Sequence, residues 1–525
     1  MNTRGWKEVA VAVALVCLAA TGCTDTTVQP KSTISSGNIF SDPASYLAFL
    51  AKIYAGLALS GQIGPFGDPD IQGIDEGFGQ YLRLYWEMQE LPTDEAVIAW
   101  TDVGLPEMNT QLWTSLSTMV VAMYYRIFVQ VSLANEFLRQ TTDAVLDSRG
   151  VTGTLRTQIH QYRAEVRFLR ALSYWHGIDL FGSIPLVTER DPVGATPPKQ
   201  AARDSIYRYV VSELTAIQGQ LPAPSASTYG HATGPAASML LAEVYLNAGV
   251  YTGTPQWPQA MAAVQAVINS GYYSLDSSWL HLFQADNNTS PEMIFPIIQD
   301  GVTTQTAGGV TFLVHAACGN TMDPAAYGID GCWFGLRLKP EAYDNYAAGD
   351  TRTSYFWTDG QTVAVTDILD FSTGIAAPKF RNTTSTGAPG SNSTFVDTDF
   401  PLFRLGEAYL IYAEAFLRGG GGTQAQALAY VNALRERAYG GTSGDITAAQ
   451  LTLPFVLAER GRELLWEAHR RTDLIRYGLF TGGSYVWSWK GGTQAGTATP
   501  PFRDLYPLPA SELVANPNLK QNPGY

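Results

Sequence analysis

Apolar residues recur at three- and four-residue spacing along most of this chain, a period that predicts amphipathic helices. One helix is expected over 45–58, a longer one over 114–138, and a third over 154–181 that stops at Gly182 ahead of Ile184-Pro185. Another spans 202–220 and ends before Pro222. Between the first two lie "GQIGPFGDPDIQG" and "LPTDEAVIAWTDVGLPEMNTQLW", both broken by loop formers.

Two later stretches resemble each other. "LAEVYLNAG" followed by "WPQAMAAVQAVINSG" aligns with "YAEAFLRGG" followed by "QAQALAYVNALRERA". Ala242-Glu243-x-Tyr245-Leu246 matches Ala413-Glu414-x-Phe416-Leu417, and Gln259-Ala260-Met261-Ala262-x-Val264 matches Gln426-Ala427-Leu428-Ala429-x-Val431. Each predicts two helices joined by a Gly-containing turn, with alanines where the helices approach closely. Stacked hairpins of this tetratricopeptide-like kind bury a shared face and build a superhelical scaffold. The expected fold class is therefore mostly α. Between the repeats, over 274–399, helical periodicity disappears in favour of Gly, Thr, Asn and Asp with interspersed aromatics. So long a loop-rich insertion points to function, which makes it the candidate ligand face.

Composition narrows the chemistry. With 46% hydrophobic, 12% aromatic and 15% charged residues, the chain is too apolar to be disordered. Its net charge of −14 excludes nucleic acid as a partner, because phosphate binding needs clustered Lys and Arg. Neutral sugars make no such demand. Sugar rings pack their C–H faces on flat side chains, and Trp86, Trp100, Trp113, Trp333 and Trp357 all fall in or beside loop-rich stretches. Trp487 and Trp489 alternate as in a strand, one facing in and one out.

Enzyme signatures are sparse: no His-Glu-x-x-His, no Gly-x-Ser-x-Gly and no phosphate-binding loop occur. Asp94-Glu95 and Asp300 are conceivable glycosidase carboxylates, but that chemistry needs two carboxyls set across a substrate, which spacing does not establish. No catalytic residue is assigned and no enzyme activity is expected. No cofactor is expected either, although the chain permits a structural calcium ion.

The N-terminus carries Arg4 and Lys7, an apolar run over 9–20, and then Thr21-Gly22-Cys23. A basic head, a short apolar run and small residues form a secretory signal, too short to span a bilayer. The cysteine resembles that of a bacterial lipobox, with Ala20 where Leu is usual. The resemblance implies cleavage before Cys23 and its acylation, and acyl chains anchor through about 0.8 kcal/mol per buried CH₂. Of the other cysteines, Cys17 leaves with the signal. Cys318 and Cys332 either close a loop as a disulfide or stand apart as buried thiols.

Four blocks carry a wider resemblance: "AEVRFLRALSYWHGIDLFGSIPLVTE", "FRLGEAYLIYAEAFLRGG", "LAERGRELLWEAHRRTDLIRYG" and the tail "LYPLPASELVANPNLKQNPGY". Together they resemble the RagB/SusD family of nutrient-uptake outer-membrane lipoproteins. In the third block, Leu464, Leu465, Ala468, Leu474 and Ile475 are expected to form an apolar stripe. Glu459, Arg462, Glu463, His469, Arg470 and Asp473 are expected to form a polar network between helices. The family more often has a bulky residue at Gly461, a change expected to loosen that turn.

The resemblance implies a cell-surface lipoprotein that captures oligosaccharide and delivers it to a SusC-like TonB-dependent transporter. It implies a signal peptide at 1–22, a tether at 23–40, a helical region at 41–273, the loop-rich insertion at 274–399, and C-terminal helices with a Pro-rich tail at 400–525. "DEAVIAWTDVGLPEMNTQLWTS" and "QDGVTTQTAGGVTFLVHAACGNTMDPAAYGIDGCWFGLR" look like the ligand loops of the starch-binding branch. On that resemblance Trp100 and Trp333 form an aromatic platform, Arg83 donates to sugar hydroxyls, and Asp102 and Tyr327 complete the ligand set. That branch commonly has Tyr after the Thr-Gln-Thr turn, where this chain has Ala307. The alternatives are a glycoside hydrolase on a helical scaffold and a peptide- or protein-binding adaptor of the same uptake system.

Overall fold

Helix α1, Ala44–Ala58, opens a series whose ends are written into the sequence. The computed structural model describes residues 39–525 apart from Asp68, Gln72 and Ala195; the expected signal segment and Cys23 lie outside the described residues. The chain divides into two compact units, 1–48 and 49–525. Within the first, the turn Ile39–Ser41 precedes α1, and the Phe40 and Tyr46 rings stand 5.0 Å apart.

The second unit continues with α2 (Tyr81–Glu90), α3 (Thr118–Gln140), α4 (Gly153–Phe181), α5 (Arg203–Ile217), α6 (Gly234–Leu246) and α7 (Trp257–Ile268). Then come α8 (Gly309–Ala316), α9 (Leu405–Leu417), α10 (Gln424–Tyr439), α11 (Leu453–Glu463) and α12 (Arg470–Arg476). Caps set the boundaries. Thr233, Thr423 and Thr452 each accept an N–H from the first turn of α6, α10 and α11, satisfying a donor the helix cannot. Helix α4 ends at Gly182, whose φ of +73° suits glycine and where a Cβ would lie 2.9 Å from Leu505.

Successive helices pack on one another from α3 to α7; α7 then packs on α9, and α9 on α10 and α11. The two repeated segments are thus neighbouring hairpins, α6–α7 and α9–α10, joined through α7 and α9. The scaffold is the mostly α, tetratricopeptide-like stack expected from the repeats. No described helix is long and apolar enough to cross a membrane.

Strands are few and short. β1 (Ala96–Ile98) pairs antiparallel with β3 (Leu336–Leu338), and β2 (Met293–Ile297) with β4 (Phe400–Arg404). The β2–β4 ladder ties together the two ends of the chain between 298 and 399, so a long excursion leaves and returns at one point.

Three local expectations differ from the structure. Helix α8 lies inside the loop-rich stretch: Gly-Val-Thr-Phe-Leu-Val-His-Ala is buried on every side, so it has no amphipathic period to betray it. The block containing Leu464 and Leu474 is two helices, broken over 464–469 with Trp466 and Ala468 at positive φ, so its apolar residues do not form one stripe. Trp487 and Trp489 lie in a turn, with Trp487 buried and Trp489 in the left-handed region.

The charged residues of that block do form a network. Glu459 pairs with Arg352, Arg435 and Arg462; Glu463 pairs with Arg352, Arg404 and Arg437. Asp473 pairs with Arg460 and Arg476, while Arg470 reaches across to Asp94 and Glu95. Gly461 lies inside α11, where a Cβ would stand 3.0 Å from Arg470 Nη1 and 3.1 Å from Glu95 Oε1. The missing side chain leaves room for an ion pair and does not loosen a turn.

Candidate functional site

The β1–β3 ladder brings together residues far apart in sequence. Ile98 faces Leu336, and the pairing runs on through a bond from the Ala99 N–H to the Gly335 carbonyl. Asn109 closes the outer edge of β1, accepting the Ile98 N–H and donating to the Ile98 carbonyl. Beyond the ladder stand Trp100 and Trp333, with ring centroids 6.3 Å apart and the Trp100 indole N–H donating to the Trp333 carbonyl at 3.0 Å. Both are half-buried.

The two rings rest on a column of buried aromatics. Phe312 on α8 meets Trp100 edge to face at 5.7 Å and Trp86 at 5.8 Å, and Trp86 in turn meets Trp466. His315, one turn along α8 from Phe312, stacks under Trp333 at 4.5 Å. Burial holds its imidazole below the ordinary histidine range, against the pull of the Gly331 and Thr394 carbonyls on its two ring nitrogens. Gly335 lets the indole sit close: a Cβ there would lie 2.8 Å from the Trp100 ring.

Arg83 joins the cluster from α2. Its guanidinium lies 4.1 Å from the Phe312 centroid and 5.6 Å from that of Trp100. Its Nε donates to Glu87 at 2.8 Å, and burial pushes the Glu87 carboxyl up. Among the described residues Arg83 has no other hydrogen-bond partner for its side chain, which leaves its terminal NH₂ groups able to donate elsewhere. Phe78 lies 5.9 Å from the guanidinium, and Ala307 sits beside Gly77 near Arg83 Nη1. Phe78 thus supplies a half-buried ring near the position where the tyrosine of the starch-binding branch is replaced by Ala307.

Asp102 is exposed in the turn two residues beyond Trp100. Tyr327 is buried in the loop between Cys318 and Cys332, with the Arg381 guanidinium 5.5 Å from its ring. Among the described residues no ring contact joins Tyr327 to either tryptophan. Cys318 and Cys332 are joined as a disulfide with Cα atoms 4.7 Å apart, just before Trp333. Phe312, His315, Phe78 and Gly335 were not singled out by sequence; Phe312 and His315, three apart in an unrecognised helix, were the readable signal.

The other candidate side chains sit elsewhere. Trp86 and Trp113 are fully buried core residues. Trp357 is half-buried and donates to Thr321 Oγ1 and the Asp359 carbonyl. Asp94 accepts two bonds from Arg470 and one from the Tyr485 hydroxyl, and Arg470 lies 3.3 Å from Glu95. Asp300 accepts the N–H groups of Val302 and Thr303 and so closes its own turn.

Among the described residues one close group of three metal-ligating side chains exists: Glu243, Glu407 and His469, all buried. Arg460 Nη2 lies 4.0 Å from Glu243, and a shell of two carboxylates and an imidazole does not suit calcium, which takes six to eight oxygens. Burial and the neighbouring Glu243 push the Glu407 carboxyl well up.

Stacked helical hairpins whose loops carry the half-buried Trp100–Trp333 pair define a helical-repeat protein with a loop-built aromatic face. More particularly, the chain belongs to the SusD family. The SusD family model (SusD_RagB) matches residues 341–525. The starch-binding protein SusD of Bacteroides thetaiotaomicron is 33% identical over 577 residues, covering 100% of both chains. A laminarin-binding SusD-like protein shares the fold at a TM-score of 0.70 and 21% identity, over 92% of this chain and 99% of its own. Surface glycan-binding protein A from Bacteroides thetaiotaomicron, solved with laminarihexaose, does so at 0.67 and 20%, over 91% and 99%.

Proposed function

We propose that this chain captures neutral oligosaccharide at the outer-membrane surface and presents it to a SusC-like TonB-dependent transporter, without chemically altering it. Cys23 is the lipid anchor in this reading. The observation that carries it is the Trp100–Trp333 pair, half-exposed, backed by Phe312 and His315, and flanked by an arginine with uncommitted donors. Flat rings offer surface to sugar C–H faces, and Arg83 offers hydrogen bonds to hydroxyls. Asp102 stands at the rim of the face. A starch-type α-glucan is the first ligand to try, given the relative named for starch binding, with Phe78 in the role of the missing ring.

Native electrophoresis through gels containing amylopectin or laminarin tests the reading. The wild-type chain is expected to be retarded in at least one gel, and Trp100→Ala to migrate as in a gel without polysaccharide. Equal migration of both proteins in every gel would overturn it. Release of new reducing ends from either glycan would instead favour a hydrolase.

A further inference from the structure

A second concave surface shares no residue with the Trp100–Trp333 face. It is a cleft of about 380 Å³ where the turn Ala226–Thr228, the 271–274 loop after α7 and the 288–291 segment meet β2. Its lining is chemically narrow. Tyr229, Tyr272 and Tyr273 supply ring surface, while Ser225, Thr228 and Asn288 supply hydroxyl and amide groups. No lining residue is charged, in a chain with 47 acidic and 33 basic residues.

The wall is preset. The Tyr229 hydroxyl donates to Asp399 Oδ2 at 2.7 Å, and the Gln299 N–H holds the other Asp399 oxygen at 2.7 Å. That anchor fixes the ring before a ligand arrives, which lowers the ordering cost of binding. Tyr272 is 53% exposed, an unusual amount for so large a ring, and Asn288 is exposed as well. An ionic ligand would need a countercharge that the cleft lacks. The Ser225 and Thr228 hydroxyls are tied into their own turn, but a purely apolar ligand would cover the Asn288 amide and the Tyr272 hydroxyl without giving them partners. A neutral polyhydroxylated ring satisfies both kinds of wall.

We propose that this cleft is a second binding site for neutral saccharide, sized for a short stretch of chain. The site goes beyond the first face and stands independently of it.

Saturation-transfer NMR on the full chain tests this with maltohexaose and laminarihexaose, and with a galacturonic acid hexamer as the charged control. In the double variant Trp100→Ala, Trp333→Ala, at least one neutral hexaose is expected still to receive saturation. Adding Tyr272→Ala and Asn288→Ala should lower that signal roughly tenfold. Both added positions are exposed, and circular dichroism melting curves confirm that the variants fold. Loss of all transfer in the double variant, persistence in the fourfold variant, or equal transfer to the acidic hexamer would each overturn the proposal. If instead wild type and double variant give the same signal, the first face is refuted while the cleft stands.

Discussion

Gly335 shows how one absent side chain shapes the face. Its φ is ordinary, so the reason for glycine is space: a Cβ would press on the Trp100 ring at 2.8–2.9 Å and on Ala316 at 3.1 Å. An indole is rigid and its N–H is tied to the Trp333 carbonyl, so the ring must tilt and not merely flex. Gly335→Ala is therefore expected to weaken glycan binding by about tenfold while lowering stability by only about 1 kcal/mol. Calorimetric titration beside urea denaturation separates the two effects; unchanged affinity would mean the ring has slack. At Gly461 the crowding falls on a buried ion pair. Gly461→Leu is expected to destabilise by about 2–3 kcal/mol through overpacking against Arg470 and Glu95, more than the helix propensity gained. A raised urea midpoint would show that the pair can move aside.

At the scale of elements, the helical hairpins were legible because repetition and a 3.6-residue period both report burial on one face. The insertion was legible only as a place. What assembles the face is the β1–β3 pairing, three residues on each strand, and nothing local in "AVI" or "LRL" names its partner. Trp100 and Trp333 could be nominated as loop aromatics, but their meeting depends on that ladder. Helix α8, which supplies Phe312 and His315, was hidden by its uniform burial. The resemblance to the family nominated Trp100, Trp333 and Arg83 together, which periodicity could not. The structure brings these three side chains near one another, while Tyr327 lies in the packing of its own loop.

The disulfide belongs to this scale too, since it closes a loop of sequence separation 14 that ends beside Trp333. Replacing both cysteines by serine is expected to cost roughly 2–3 kcal/mol through the freer unfolded chain. It is also expected to weaken sugar binding, because the Phe334 N–H bonds to the Cys318 carbonyl on this hinge. A double variant with wild-type affinity would show that His315 and the Trp100 indole hold Trp333 without help.

Across the whole molecule, buried ionisable groups are shifted both ways, and pH separates them. The arginines around Glu459 hold its carboxyl down at about 2 against the cost of burial. Its contribution is present above the ordinary 4.5 and is lost as pH falls through 2. Asp399 behaves oppositely. Burial pushes it up to about 7 from an ordinary 3.8, and Asp397 and Asp300 add to the shift. The folded chain therefore binds more protons than the unfolded one between those values. The stability Asp399 contributes is full below about 3.8 and is lost as pH rises through 7. Glu90, also pushed up to about 7 by burial, adds a slope of the same sign. Each such group contributes at most about 1.4 kcal/mol per pH unit. Stability is thus expected to fall between pH 4.5 and 7.5 as these carboxyls are forced to ionise. Asp399→Asn keeps the shape and can still accept the Gln299 N–H, but it does not titrate. Urea midpoints taken across that range should decline less steeply in the variant than in wild type. Parallel curves would mean that Asp399 ionises in the folded chain as it does in the unfolded one.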